Sequence, residues 1–506
     1  MIFQLNVKIE KSDNTKKQIL PDLNKSALVN FFIDNNKLNK NVKSFLTDNE
    51  ININQNLLSG FLTGEREKLK TAVASGKPDL LILIKTKPNK KFTTDFFRDA
   101  ISKIIQELEK ENIENLNIII PSFDLYSAKF ADESQFYFSF IEGLWLGNYT
   151  FSYKSKKEKN QKLNVTVQAE NDLLLKKNLK QIENVLTSVY FARDLVNEPA
   201  NVLTPEVFGE KVKKVFLQKS VSVRLIGEKE LKRMGMNLML AVGGASDISP
   251  RLLVLHYKPT QKSKRKIALV GKGVTYDSGG LSIKPTSGMI DMKGDMAGAA
   301  SVVGTILAAS KNNLPVELFG VMPLVENMIS GKSYKPGDVI KSYSGKTVEV
   351  KDTDAEGRLV LADAITYACK FKPELLIDYA TLTGACVVAL GEIASGMFTN
   401  EKKYSETLKS SADYTYERIW ELPMWYDYDS LLESKIADVS NLGPRWGGAI
   451  TAAKFLENFV EENIPWVHLD IAGPALKHKE NSYTENYDTG FGVRLTYDFL
   501  KRMLNQ

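Results

Sequence analysis

The chain has 506 residues, 43% hydrophobic and 25% charged, which is long for a single domain and ordinary for a globular protein of two or three. Its 67 basic and 61 acidic residues leave a dispersed formal charge of +6, too small an excess to indicate nucleic acid, although that partner stays possible. Two cysteines, Cys369 and Cys386, exclude a disulfide framework, and a start that turns polar by Gln4 has no export signal, so a cytoplasmic protein is expected.

The first part, 1–170, alternates short apolar runs with helical spacing. Leu80–Ile84 and Leu116–Ile120 read as buried strands, and 96–109 between them as a helix, which predicts an α/β domain. A lysine-rich stretch follows (Lys154, Lys156, Lys157, Lys159, Lys162); a solvated loop is its ordinary meaning and a phosphate-binding patch the rival one. Residues 171–194 read as a connecting helix. From 195 to 506 strands and helices alternate again: strands at 266–270, 316–321, 375–378 and 467–471, helices at 296–310 and 356–370. The 296–309 run is rich in small residues and too short to span a membrane. The expected fold is therefore α/β, a smaller N-terminal domain and a larger C-terminal catalytic domain with a mixed central sheet flanked by helices.

Three histidines, His256, His468 and His478, leave no His-Glu-x-x-His pair, and neither a Gly-x-Ser-x-Gly elbow nor a phosphate-binding Gly-x-x-x-x-Gly-Lys-Ser/Thr loop is present. Charge beside small residues concentrates instead in two segments. The first runs from Gly271-Lys272-Gly273 through Asp277-Ser278-Gly279-Gly280 to Lys284-Pro285 and on to Asp295; the second is Lys351-Asp352-Thr353-Asp354-Ala355-Glu356-Gly357-Arg358-Leu359. A plain turn accounts for Asp277 to Gly280 but not for the flanking Lys272, Lys284 and Asp295. Asp354 and Glu356 share a face if the chain is extended there, and such neighbours repel unless a cation lies between them. With Asp277 and Asp295 they would enclose divalent ions, and two ions about 4 Å apart can share a hydroxide and polarise a carbonyl. Lysine ligates only as the neutral amine, which burial beside a dication would favour. A calcium loop on Asp352, Asp354, Glu356, Gly357 and Asp363 is the rival pattern. It is disfavoured by Glu at its fifth position, by Asp at its twelfth and by the strand-like Thr347–Val350 before it.

At these residues the sequence resembles the leucyl aminopeptidase family of dinuclear metallopeptidases. Asp352–Leu359 stands where the family has Asn-Thr-Asp-Ala-Glu-Gly-Arg-Leu, and Gly271–Pro285 matches its glycine-rich lysine–aspartate motif. Further matches are Asn197–Pro205, Ala380–Ala385 and His468–Gly473, in order over about 175–500. The resemblance implies an aminopeptidase acting on peptides with a free N-terminus, Leu and other apolar residues preferred, through a hydroxide bridged by two metals. It makes Asp277 and Glu356 the bridging carboxylates, Lys272 and Asp295 the rest of the tighter site, and Asp354 the rest of the exchangeable one. Zn²⁺ is the implied metal, with Mn²⁺, Co²⁺ or Mg²⁺ accepted at the exchangeable site. Lys284 and Arg358 become the catalytic pair, Lys284 for the oxyanion and Arg358 for a bicarbonate proton shuttle. Met292, Thr381, Leu382, Gly384 and Ala472 would form the side-chain pocket, with Ala475 where some relatives carry methionine. A homohexamer is implied. Asp352 departs from the family's Asn, and Tyr276 from a common Phe. The alternatives are a dipeptidase for Cys-Gly-like substrates and a nucleic-acid-binding or scaffold relative.

Overall fold

The computed structural model describes residues 1–12, 25–73, 78–155, 161–217 and 220–505. Two compact units emerge, Met1–Glu183 and Asn184–Gln506. Of the lysine-rich stretch, Lys154 and Lys162 are exposed; Lys156, Lys157 and Lys159 lie outside the described residues. Among the described residues no helix is long and apolar enough to cross a membrane.

The first unit holds β1 (Phe3–Lys11), β2 (Ser26–Ile33), α1 (Leu38–Asp48), α2 (Gln55–Thr63), β3 (Lys68–Ala72), β4 (Leu80–Thr86), α3 (Phe96–Leu108), β5 (Asn115–Ile119), α4 (Glu133–Asn148) and β6 (Gln161–Ala169). The unit boundary falls inside α5 (Asp172–Asn197). The strands form one sheet in the order β1-β6-β5-β2-β4-β3, parallel except where β3 meets β4. β4, paired on both edges, is buried along its whole length, which is why Leu80–Ile84 is a continuous apolar run rather than an alternation. In α3, Phe97, Ile101, Ile104, Ile105 and Leu108 recur at helical spacing and are the buried face.

In the second unit the later half of α5 is followed by α6 (Pro205–Phe216), capped by Thr204, whose side chain accepts from Val207 N, and opened by Pro205, whose missing N–H costs nothing in a first turn. Then follow β7 (Val221–Gly227), α7 (Glu228–Met234), α8 (Asn237–Gly243), β8 (Arg251–Tyr257), β9 (Lys266–Gly271), β10 (Gly273–Asp277), α9 (Thr286–Met289), α10 (Ala297–Lys311) and β11 (Glu317–Asn327). After them come β12 (Val339–Lys341), β13 (Thr347–Glu349), α11 (Glu356–Cys369), β14 (Leu375–Ala380), α12 (Gly384–Leu390), β15 (Ser395–Thr399) and α13 (Ser405–Thr415). The chain closes with β16 (Ile419–Glu421), β17 (Val439–Ser440), α14 (Gly448–Glu457), β18 (Trp466–Asp470) and α15 (Val493–Leu504). The main sheet runs β16-β15-β18-β14-β9-β11-β8-β7, with β10 continuing the pairing along β11. It is mixed: β18, β14, β9 and β11 are mutually parallel, while β8 and β15 run antiparallel to their neighbours β11 and β18.

Alternation along the strands divides the core. Phe319, Val321 and Val325 of β11 join a cluster with α8, α11 and α14. Gly320, pointing the other way, faces Val302 and Ile306 of α10. The sheet thus lies between helical layers, the α/β arrangement expected from the sequence. The small-residue face of α10 is what allows close approach: a Cβ at Gly298 would overlap the Tyr379 carbonyl oxygen and come 3.0 Å from Lys272 N. Gly298→Ala is therefore expected to push α10 off the sheet where Lys272 leaves it. Overpacking of this kind costs about 1–3 kcal/mol, and the upper end is expected because rigid backbone is struck. Urea unfolding of the variant measures this; an unchanged midpoint would mean that the helix has room to move.

Candidate metal centre

β9 and β10 are one strand interrupted at Lys272. The Lys272 N–H donates to Tyr379 O of β14 (2.9 Å), and its carbonyl accepts from Ala299 N of α10 (2.8 Å). Its side chain is buried, with Nζ 2.7 Å from Asp295 Oδ1 and 2.9 Å from Glu356 Oε1, and donates to Thr381 O at 3.0 Å. Gly357 makes space for it, since a Cβ there would overlap Lys272 Cε. Asp295, just before α10, also accepts from Thr381 Oγ1 (2.8 Å).

Asp277 ends β10. Its Oδ1 accepts from Gly279 N (2.9 Å) and from Asn327 Nδ2 (2.8 Å), and its Oδ2 lies 2.9 Å from Lys284 Nζ. The chain then reverses through Gly279 and Gly280 at φ +87° and +64°, backbone that side chains rarely adopt. Lys284 also pairs with Asp354, so its ammonium lies between two carboxylates.

The sequence suggested that Asp354 and Glu356 share an extended face, and the structure corrects this. The chain bends at Ala355 (φ −99°, ψ 43°) and Glu356 is the first residue of α11, where a helix N-terminus favours negative charge. Asp277, Asp354 and Glu356 still each bring a carboxylate oxygen within 4.8 Å of the others. Arg358, one residue further along α11 from Gly357, is buried; it donates through Nη1 to Asn441 O (2.7 Å), and its Nε has no hydrogen-bond partner among the described residues. Asp352, the departure from Asn, uses Oδ1 to accept from Asp354 N (2.9 Å), a bond that either residue type can make.

The electrostatics are strained without a cation. Burial, reinforced by Asp277 and Asp295 against the pull of Lys272 and Lys284, pushes the Glu356 carboxyl up to about 8. Burial likewise pushes Asp295 up to about 6 despite Lys272, and raises Asp354 despite Lys284. Lys272 and Lys284 are both held well above the usual lysine value: burial opposes their charge, but the carboxylates around them outweigh it. Burial lowers Arg358 to about 10, leaving it cationic at neutral pH. Oε2 of Glu356 and Oδ2 of Asp295 are buried without a hydrogen-bond partner among the described residues, and Glu356 Oε1 faces the Lys272 ammonium. Four carboxylates against two ammonium groups, with two orphaned oxygens, fit divalent cations and are costly without them.

All twelve residues singled out from the sequence (Lys272, Asp277, Lys284, Met292, Asp295, Asp354, Glu356, Arg358, Thr381, Leu382, Gly384 and Ala472) line one cavity of about 680 Å³. It opens past the C-terminal ends of β10, β14 and β18, where sheets of this kind bind ligands. Ala475 is buried and does not line it; its neighbour Leu476 does. Sequence reasoning missed Asp291, Glu392, Lys477 and the Leu442–Arg445 wall, the last of these signalled only by the glycine–proline run Gly443-Pro444. None of the three histidines lines the cavity; His468, for one, is buried with Nδ1 2.6 Å from Asp378 Oδ1, joining β14 to β18. The calcium-loop pattern fails because α11 begins inside it. Asp363 faces Met239 N and Tyr343 N from within that helix, and burial raises it to about 7 against those bonds. A larger cleft, about 1020 Å³, lies around Trp420, Trp425 and Tyr426 and holds none of the twelve.

Residues 190–497 match the model of the cytosol aminopeptidase family, catalytic domain. The chain is 41% identical over 454 residues to a probable cytosol aminopeptidase of Aquifex aeolicus (strain VF5), covering 88% of this chain and 89% of that protein. It is 46% identical over 366 residues to one of Geobacter sp. (strain M21), covering 71% and 74%. Among solved structures, the bottromycin maturation enzyme BotP in complex with Mn superposes with a TM-score of 0.82 at 29% identity, covering 95% of this chain and 100% of that one.

Proposed function

The chain belongs to the cytosol aminopeptidase family, and on that premise we propose that it is a metal-dependent aminopeptidase removing Leu and other apolar residues from peptides with a free N-terminus. The observation that carries this reading is the buried carboxylate set with its orphaned oxygens on Glu356 and Asp295. Asp277 and Glu356 would lie between two ions, Lys272 and Asp295 would complete a tighter site suited to Zn²⁺, and Asp354 a more exchangeable one open to Mn²⁺, Co²⁺ or Mg²⁺. The Mn named for the structural neighbour supports a divalent ion of this kind.

Two divalent ions, when bound, would supply Lewis acidity toward the scissile carbonyl and an activated water. The chain's own residues do the rest. Lys272 must give up a proton to ligate, and its carboxylate neighbours resist that, so ion uptake releases a proton and strengthens as pH rises. Lys284 stays an ammonium and stabilises negative charge developing on the carbonyl oxygen. Arg358 offers its unpartnered Nε–H to a bicarbonate, which would stand in for the missing histidine base. Met292, Leu382, Ala472 and Leu476 give the substrate side chain an apolar wall, and Thr381 and Gly384 border it. The reading extends to the cytoplasm as the compartment and a homohexamer as the assembly, the latter checked by light scattering.

Hydrolysis of leucine p-nitroanilide tests the activity. Chelator-stripped protein is expected to be inactive and to regain activity with Zn²⁺, Mn²⁺, Co²⁺ or Mg²⁺. A folded protein inactive with all four overturns the reading.

A further inference from the structure

The two ligand-bearing segments approach each other from different elements, Asp277 from β10 and Asp354 from the loop before α11. Besides the Lys284 ammonium between the two carboxylates, one fully buried side chain joins them from behind. Asn327, the last residue of β11, is fully buried; its Nδ2 donates to Asp277 Oδ1 (2.8 Å) and to Thr353 O (3.0 Å). Its carbonyl accepts from Ser278 N (3.0 Å) and Ser278 Oγ (2.7 Å), fixing the residue after Asp277. Thr353 reinforces the same junction, donating through Oγ1 to Gly279 O (2.7 Å) while that oxygen accepts from Ser282 N (2.8 Å). Asn327 Oδ1 is buried and accepts nothing, so the side chain is held by what it donates.

We propose that Asn327 is the positioning residue of the metal centre, setting the Asp277 carboxylate and the Thr353-Asp354 backbone at one fixed separation. The assignment rests on the metallopeptidase reading. Asn327 touches no substrate and acts through Asp277 and Asp354. The physical reason for such a brace is that like-charged carboxylates drift apart unless their free lone pairs are tied to donors. Partners of this kind, one bond behind the ligands, typically change metal affinity or activity about 10- to 100-fold when removed.

Two variants of the full chain test it. Asn327→Ala removes both the side chain's volume and its donor; Asn327→Leu keeps the branched shape and removes the amide, whose donor makes both bonds. Folding is followed by circular dichroism, Zn²⁺ and Mn²⁺ affinity by titration calorimetry on stripped protein, and kcat and KM at saturating ion. The expected result is a folded protein in at least the leucine variant, with ion affinity about 10- to 100-fold weaker. At saturation, kcat per folded protein should fall while KM stays within about threefold; the weakened ion affinity is the readout that a loss of general stability, which only lowers the active fraction, would not move. Unchanged ion affinity and unchanged kcat in folded variants overturn the assignment. So does loss of the fold in both, which would make Asn327 a packing residue. Wild-type protein that binds no divalent ion would instead overturn the metallopeptidase reading, and this inference with it.

Discussion

Glu356→Gln is expected to lower kcat/KM by about a thousandfold or more and, in the ion-free protein, to raise the thermal midpoint. The first effect follows from removing a charged ligand from between the two proposed ions. Charge stabilisation by bound metal is worth several kcal/mol, and each ~1.4 kcal/mol is tenfold in rate. The second follows from the buried carboxylate, which burial and the neighbouring Asp277 and Asp295 hold well above its ordinary value despite Lys272. A carboxyl whose folded value is raised penalises the fold once pH passes its ordinary 4.5, and the penalty is complete above about 8. The gain from Gln is therefore largest in alkaline buffer and vanishes in acid, where both states are protonated. Steady-state kinetics and thermal melts of stripped protein at two pH values read both effects. Lost activity together with gained ion-free stability marks a functional carboxylate. If the two fall together, Glu356 is a structural residue and the metal reading weakens.

Lys284→Ala is expected to lower kcat about 100- to 1000-fold with KM changed only slightly, the cost of losing one preorganised donor to a developing oxyanion. The ammonium is poised for this because Asp277 and Asp354 keep it charged even though it is largely withdrawn from solvent. Folding should survive, since the reverse turn beneath it is held by Gly279, Gly280 and the backbone bond from Lys284 N to Ser278 O (3.0 Å), none of which needs the side chain. Lys284→Arg should restore little, because a planar guanidinium between two carboxylates cannot present the same point charge. A rise in KM with kcat intact would move Lys284 from the reacting carbonyl to substrate binding.

Much of this was legible before any coordinates. Short runs such as 80–84 and 266–270 formed strands because a brief, largely apolar stretch is sheltered along its length inside a sheet covered by helices. Lys272, Asp277, Lys284, Asp295, Asp354 and Glu356 stood out because charge beside small residues, near the end of an apolar strand, has few structural uses. Arg358 and the pocket residues Met292, Thr381, Leu382, Gly384 and Ala472 came only from the resemblance to the family. The brace between the segments was not legible. Asn327 and Asn441 are lone asparagines, which sequence reasoning assigns to turns. Yet Asn441, 85 residues beyond Glu356, bonds through its side chain to Lys351 N, Asp352 N and Asp352 O and through its carbonyl to Arg358.

The sequence by itself determined which groups carry charge, which runs must be buried and which backbone positions only glycine can occupy. Those depend on residue type and on neighbours a few positions away. The tertiary structure alone decided that Lys272 meets Asp295 and Glu356, that Lys284 lies between Asp277 and Asp354, and that Ala475 stays behind the cavity wall while Leu476 faces it. It also decided the shape of the 352–356 loop, bent at Ala355 rather than extended. The reason is that a site's geometry comes from the order and register of strands far apart in the chain. That order is fixed by packing both faces of the sheet at once, a condition no local pattern can express.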